Sequence, residues 1–236
     1  MIHRSIAVII PVLHETGTIN PTLQHLDTFT VQPKLEVIVV DGDARQTTLN
    51  AIAFHSLHNI RLKTAAASQG RGAQMNAGAA LAKADILLFL HADTLISQSA
   101  IESLQQKIDQ NRTVVGGAFD LKIRSSKKCY RLIETLANAR SRITRIPYGD
   151  QAIFIRRDYF QRLGGFAEIP LMEDVALMRR IKKKKGRIAI LHQRVETSAR
   201  RWENEGAVKC TLRNWILIAL YFLGVPPNRL ARFYRF

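Results

Sequence analysis

The sequence predicts one α/β domain built on a mostly parallel, Rossmann-like sheet flanked by helices, with a helical tail at the carboxyl end. Three observations carry this prediction. Short β-branched runs alternate with longer amphipathic stretches. Those runs are apolar almost throughout, as strands covered on both faces must be. Hydrophobic residues make up 47% of the 236, enough to bury a sizeable core.

Ser5-Ile6-Ala7-Val8-Ile9-Ile10, Leu35 to Val40, Ile60-Arg61-Leu62 and Ile86 to Leu90 read as strands, and segments near 17–30, 45–57, 71–83 and 97–110 read as the helices between them. Beyond residue 112 the rhythm loosens. A strand is expected over Val114 to Ile123, a helix near 127–143, a strand over Gln151 to Arg156 and a helix near 174–185. No repeat and no Pro/Ser/Gly linker divides the chain. The expected layout is a domain over 1–205, with a donor half to about 112 and an acceptor half from 113, then an amphipathic helix and basic tail over 206–236.

Ser5 to Pro11 is too short for a secretory apolar core and no small-residue cleavage site follows it, which predicts a cytoplasmic protein. Cys129 and Cys210 show neither CxxC nor zinc spacing, so no disulfide framework or structural zinc is expected. A net charge of +16, from 35 Lys+Arg against 19 Asp+Glu, calls for an anionic partner: nucleic acid, a phospholipid surface or a phosphorylated substrate. Nucleic acid is disfavoured, because the cations are scattered without interleaved aromatics and no helix-turn-helix, RNP or zinc pattern occurs. The apolar run Trp215 to Leu223 is about half the ~20 residues needed to cross a bilayer. With Arg213 before it and Arg229, Arg232 and Arg235 after it, it reads either as a helix lying in an anionic membrane surface or as one docked on the domain or on a second subunit, as in a homodimer.

In a parallel sheet the ligands lie beyond the carboxyl ends of the strands, so the residues there are the candidates. Strand one runs through Pro11 to His14-Glu15 and strand two ends in Asp41-Gly42-Asp43. Such carboxylates accept hydrogen bonds from a ribose hydroxyl or a base N–H, or else serve a turn and a helix start. Gly70-Arg71-Gly72-Ala73-Gln74-Met75-Asn76-Ala77-Gly78 opens a helix whose free N–H groups favour an anion, with Arg71 as an added fork; it matches neither the P-loop nor the Rossmann fingerprint. Strand four ends in His91-Ala92-Asp93. Hard divalent cations need only one or two carboxylates plus phosphate oxygens, so Asp93 suits Mg²⁺ or Mn²⁺, with His91 favouring Mn²⁺; the alternative is a loop histidine and a capping acid. Glu173-Asp174 stands at a helix start, where an acid pair caps and can also act as a general base, with the Gly164-Gly165-Phe166 loop placed to deliver an acceptor.

Together these residues resemble glycosyltransferase family two, the inverting GT-A group, over nearly the whole chain. The resemblance rests on IIPxxxE (Ile9 to Glu15), VDG (Val40 to Gly42), QMNAG (Gln74 to Gly78), HAD in the place of the DxD metal motif, and GGF followed by ED. It implies a hexosyltransferase-like enzyme with a nucleotide-sugar donor, UDP-linked as a family-level preference. Asp41 would contact the base, Asp93 the metal, and Asp174 would deprotonate the acceptor. Pro11, Glu15, Arg71 and Asn76 fall on the donor side; Gly149, Asp150, Gln151, Glu173, Arg201 and Trp202 fall on the acceptor side. The stretches GRGAQMNAGA, FLHADT, YGDQAIF and TSARRWE are similar to a bacterial subgroup named for arsenosugar biosynthesis, which leaves the sugar open.

Three departures qualify the match. His14 stands where many members have Asn, and His91 replaces the first acid of DxD, which bears on the metal. Ser198-Ala199-Arg200-Arg201-Trp202 replaces the QxxRW of processive members, which predicts single addition. Two other classes compete: a nucleotidyltransferase, which would need a glycine-rich basic loop where Val12 to Glu15 stand, and a non-catalytic protein that binds membrane or nucleic acid through its charge. The acceptor is left as a lipid-linked or anionic hydroxyl compound, met at the inner face of the membrane by peripheral contact.

Overall fold

Seven strands form one sheet in a computed structural model of the chain, which describes residues 3–234; Met1, Ile2, Arg235 and Phe236 lie outside the described residues. The first half follows a strict alternation: β1 (Ile6–Val12), α1 (Ile19–Asp27), β2 (Glu36–Asp41), α2 (Thr47–Asn50), β3 (Arg61–Ala66), α3 (Arg71–Leu81), β4 (Ile86–Phe89) and α4 (Gln98–Gln110). The second half contains β5 (Val114–Arg124), α5 (Lys128–Thr144), β6 (Phe154–Arg156), α6 (Arg157–Arg162), α7 (Glu173–Lys183) and β7 (Arg187–Ser198). It closes with α8 (Arg200–Glu205), α9 (Ala207–Phe222) and α10 (Pro227–Leu230).

The strand order is β3-β2-β1-β4-β6-β5-β7, and every neighbouring pair is parallel except those made by β6. β1 and β4 are adjacent, with β2 on the far side of β1, so the order reverses between them. A crevice opens beyond the carboxyl ends of strands at such a reversal. Glu15 follows β1 and Asp93 follows β4, so the topology alone brings both carboxylates to it.

The sheet is buried on both faces because the strands are apolar on both. Val8, Ile10, Val37, Val39 and Leu88 meet α1 and α4 on one side. Ile9, Ile38, Val40, Leu87 and Ile155 meet α3, α6 and α7 on the other.

The structure alters several sequence expectations. β3 runs to Ala66, beyond the expected end; as an edge strand its Lys, Thr and Ala side chains alternate with solvent and give little β signal. The helix expected over 45–57 shrinks to α2 and a separate 3₁₀ turn at Phe54–Ser56. The strand expected from Gln151 begins only at Phe154, and Gln151 closes a 3₁₀ turn. β7 was not foreseen, since the charged residues after its apolar Ile188 to Leu191 run mask the second half.

The tail does not stand apart from the domain. Cys210 and Leu217 of α9 and Leu230 of α10 are buried, and Leu217 and Leu230 belong to the α3/α7 side of the core. Among the described residues no helix is long and apolar enough to cross a membrane.

Candidate active site

At the crevice, three side chains from distant parts of the chain converge. The Arg200 guanidinium Nη2 donates to Glu15 Oε1 at 3.0 Å and lies 3.6 Å from Asp93 Oδ2. Glu15 is fixed from its other side, where Thr18 donates to Oε2 at 2.6 Å and the Glu15 N–H donates to Thr48 Oγ1 at 3.0 Å. Arg124, at the end of β5, donates to the Asp93 carbonyl at 3.0 Å. Burial raises the Asp93 carboxyl above the usual range; Arg200 opposes this and Glu15 adds to it. Arg200 was not among the sequence candidates, although it adjoins Arg201 in the TSARRWE stretch.

The other donor-side candidates behave differently. Pro11 lies half-buried within β1, in register with Val40. Asp41 has no exposed surface: its Oδ1 accepts from the Asp43 N–H at 2.9 Å, and its Oδ2 accepts from the N–H groups of Thr48 and Leu49 at 3.1 and 3.3 Å. It therefore organises the loop and the start of α2, and the structure does not place it on the open face of the crevice. Asp43, half-buried, is the acid of that loop nearer the surface. Hydrogen bonds from Thr47 and Arg45 hold its carboxyl below the usual range.

The glycine-rich stretch is mostly architectural. The buried Gln74 amide donates to the carbonyls of Val12 and Val40 at 2.7 and 2.9 Å, tying the ends of β1 and β2 together. Asn76 accepts from the Phe166 N–H at 2.8 Å and donates to the Phe166 carbonyl at 3.0 Å, so both ends of its amide hold the Gly164-Gly165-Phe166 loop. Gly165 has φ +71°, and a Cβ there would come within 2.6 Å of Asn76 Oδ1. Arg180 secures the loop again by donating to the carbonyls of Leu163 and Gly165. The donor-contact expectation for Asn76 and the delivery-loop expectation for this segment give way to a pinned junction between α3 and α6. Of the stretch, Arg71 is the residue that bears on the site electrostatically, acting on His91, Asp150 and Glu173.

The residues expected on the acceptor side gather around Gly149. Its N–H donates to Asp174 Oδ2 at 2.7 Å, and a Cβ at this position would lie 3.2 Å from His91 Nε2. Asp174 Oδ1 accepts from the Val175 N–H at 2.6 Å, which seats the carboxylate on the first turn of α7. His91 and Asp174 thus face one another across a residue that has no side chain to separate them.

Burial drives the protonation of this cluster. It lowers His91 to about 3, with Arg71 and Arg201 adding to the effect, so the imidazole is neutral in ordinary buffers. It raises Glu173 to about 7, with the Asp174 charge adding, and Asp150 to about 6, where Arg140 pulls the other way. Arg140 stacks 3.2 Å from the centroid of the Tyr148 ring, and burial pushes that phenol up to about 12.

Two acceptor-side candidates prove to be packing residues. Gln151 is fully buried; its Oε1 accepts from Ser141 Oγ at 2.5 Å and from the Tyr148 N–H at 3.2 Å, while its Nε2 donates to the Phe119 carbonyl at 3.1 Å. Trp202 lies edge-on to Tyr130 at 6.3 Å in the small cluster beneath α8. Arg201 donates to the Tyr234 hydroxyl, linking the site to the end of the tail.

The fit for a metal follows from these positions. Among the described residues no group of three or more His, Cys, Asp or Glu side chains forms a closed metal site. Glu15 and Asp93 nevertheless converge on one guanidinium, so the spot already accommodates a cation between hard oxygen ligands, which suits Mg²⁺ or Mn²⁺ completed by diphosphate oxygens. His91 is oriented toward Gly149.

The sequence profile of Glycosyl transferase family 2 matches residues 7–165, which take in the crevice from Glu15 to Gly149. The chain belongs to this family. This family 2 chain has the GT-A fold, and solved structures agree with it. A Staphylococcus aureus TarS fragment, 1–349, superposes with a TM-score of 0.64 at 17% identity, covering 83% of this chain and 60% of that one. The same fragment in complex with UDP-GlcNAc gives 0.64 and 17%, covering 82% and 58%. The mannosyltransferase PcManGT from Pyrobaculum calidifontis, in complex with GDP-Man and Mn²⁺, gives 0.64 at 20% identity, covering 82% and 56%. The family 2 chain therefore spans less than two thirds of the length of these structures. No curated protein matches it in sequence.

Proposed function

We propose that the chain is an inverting glycosyltransferase that moves one hexose-type sugar per encounter from a nucleoside diphosphate donor, UDP-linked by preference, to an acceptor hydroxyl. The observation that carries this reading is the pairing of two half-sites at the sheet's switch point. Glu15 and Asp93 share the cation Arg200 on the donor side, and Asp174 sits at Gly149 beside His91 on the acceptor side. Family membership supports it, as do structural neighbours that bind UDP-GlcNAc or GDP-Man. The sugar stays open, as the likeness to the subgroup named for arsenosugars leaves it.

In this mechanism the acceptor oxygen attacks the anomeric carbon from the face opposite the diphosphate. Asp174 takes the hydroxyl proton as the bond to the diphosphate oxygen breaks, and the configuration inverts. Gly149 and Val175 hold the Asp174 carboxylate by backbone N–H groups, and neutral His91 lines the approach. Arg71 and Arg200 supply positive charge where the diphosphate departs. Asp93, with Glu15 behind it, would hold Mn²⁺ or Mg²⁺, whose chemistry is to neutralise charge on the leaving diphosphate.

Titration calorimetry with UDP and with GDP, each with and without Mn²⁺, tests the donor side; absence of metal-dependent binding of either would sink the reading. A panel of sugar nucleotides scored by released nucleoside diphosphate then identifies the donor.

A further inference from the structure

Helix α9 has two apolar faces. The inner one is covered, as described. The outer one carries Val208, Leu212, Trp215, Ile216 and Phe222 at helical spacing, continued by Leu223 at the helix end, each about half exposed or more, with Val208 at 81% and Leu223 at 82%. Helix α5 repeats the arrangement: Leu132, Leu136 and Ile143 form a second exposed line, with Ile143 at 82%. The two helices meet, since Ala207 at the start of α9 packs in one cluster with Tyr130 and Ile133 of α5. Apolar helix lines of this length left open to water mark an interaction surface.

The charges around these lines are predominantly positive. Lys127 and Lys128 at the start of α5, Lys209 in α9, and Arg229 and Arg232 beyond it are all exposed. Helix α9 contains no acid, and the single acid of α5, Glu134, is buried and accepts from the Ile123 N–H at 2.6 Å. Glu203 and Glu205 lie on α8, and Glu205 is tied to Arg213. Two residues past Ile143, a depression of about 340 Å³ opens between Arg145, Lys182, Lys185 and Arg187, with no acid in its lining. A second copy of a chain carrying +16 would set these cationic rims against each other. An anionic bilayer complements both the apolar lines and the rim, and α9 is suited to lie in its plane.

We propose that the outer faces of α5 and α9 dock on an anionic lipid bilayer, with the Arg145, Lys182, Lys185 and Arg187 depression receiving a lipid phosphate. Helix α9 borders the catalytic element directly: the Arg179 guanidinium of α7 stacks on Tyr221 and Phe222, at 5.5 and 5.2 Å. Docking there brings the bilayer beside the helix whose first turn carries Asp174. That a lipid-borne hydroxyl is then the acceptor rests on the function proposed above; the docking itself does not.

The test is co-sedimentation of the full chain with vesicles of phosphatidylcholine alone and with phosphatidylglycerol added, together with Trp215 fluorescence. Binding at least tenfold stronger to the anionic vesicles, a blue shift of the emission, and a tenfold or greater loss in Ile216→Asp/Leu223→Asp are expected. Arg145→Glu/Lys185→Glu should weaken binding to anionic vesicles and leave the apolar lines intact. Wild-type protein that stays in the supernatant with anionic vesicles overturns the proposal. So does equal binding by the apolar-line variant, or a dimer in sedimentation velocity that this variant dissociates. UDP and GDP titrations of the same variants separate a failure of docking from a failure of the transferase reading, because none of these residues touches the crevice.

Discussion

Arg200 and Asp174 set the two tests that belong to single residues. Asp174 is seated by two backbone N–H groups, one on each oxygen, so Asp174→Asn keeps the side-chain size, gives up one of these hydrogen bonds and removes the base. A turnover loss of about 10²–10⁴-fold, with donor binding nearly unchanged, is expected in single-turnover transfer assays. Unaltered transfer would remove Asp174 from the role. Arg200 is a cation already resident between two carboxylates, and at 54% side-chain exposure its ion pairs are worth at most about 1 kcal/mol. Arg200→Ala should therefore bind Mn²⁺ in the absence of nucleotide about 2- to 5-fold more tightly, and bind UDP or GDP more weakly. Calorimetric titration of the metal alone decides this, and weaker metal binding would mean that Arg200 does not compete for the site. Glu173 supplies a pH test. Its folded pKa, about 7, lies above the ordinary 4.5, so the stability linked to its protonated form is complete below about 4.5 and lost as pH rises through 7. Glu173→Gln should flatten the change of Tm between pH 5 and 8 and leave the variant with the higher Tm at pH 8. A steeper profile would contradict the burial argument.

At the scale of the element, α3 shows how a motif that looks like a ligand loop can be a joint. Gly78 lets the helix lie against the sheet; a Cβ there would meet Ile9 Cγ2 at 2.5 Å and Val40 Cγ2 at 3.1 Å. Gly78→Ala is expected to lower stability by about 1–3 kcal/mol through overpacking, read as a lower denaturant midpoint with an unchanged slope. Wild-type stability would show that the strands can yield. Gln74 and Asn76 belong to the same joint, one binding two strand ends and the other the Phe166 loop. The existence of α3 was legible in the periodicity of the sequence. Its division of labour was not, because a side-chain amide gives the same one-letter signal whether it meets a ribose or a carbonyl 90 residues away.

At the scale of the whole molecule, the tail completes the domain it follows. A chain ending at residue 205 would uncover the faces now filled by Leu217 and Leu230, at 2% and 1% exposure. Each missing leucine is worth about 2–5 kcal/mol in a core, so the shortened chain should melt well below the full one or aggregate. An unchanged melting curve would show that the domain folds without its tail. The same packing explains why the sequence left the tail open between docking and membrane: α9 has one face for the core and another for solvent, and an apolar run does not say which side each residue takes.

The sequence by itself determined the alternating strands and helices of the first half. Apolar runs and helical spacing are local signals, and in a parallel sheet they place the functional residues after the strands before any contact is known. Asp93 and Glu15 were found this way. Only the tertiary structure decided which acids face the crevice and what stands between them. Asp41 follows a strand just as Asp93 follows one, yet its oxygens are spent on the start of α2, and the cation at Glu15 arrives from 185 residues along the chain. Burial and hydrogen-bond satisfaction are set by neighbours in space, and the same acid at the same kind of strand end becomes a structural strut or an open ligand according to which neighbours the fold supplies.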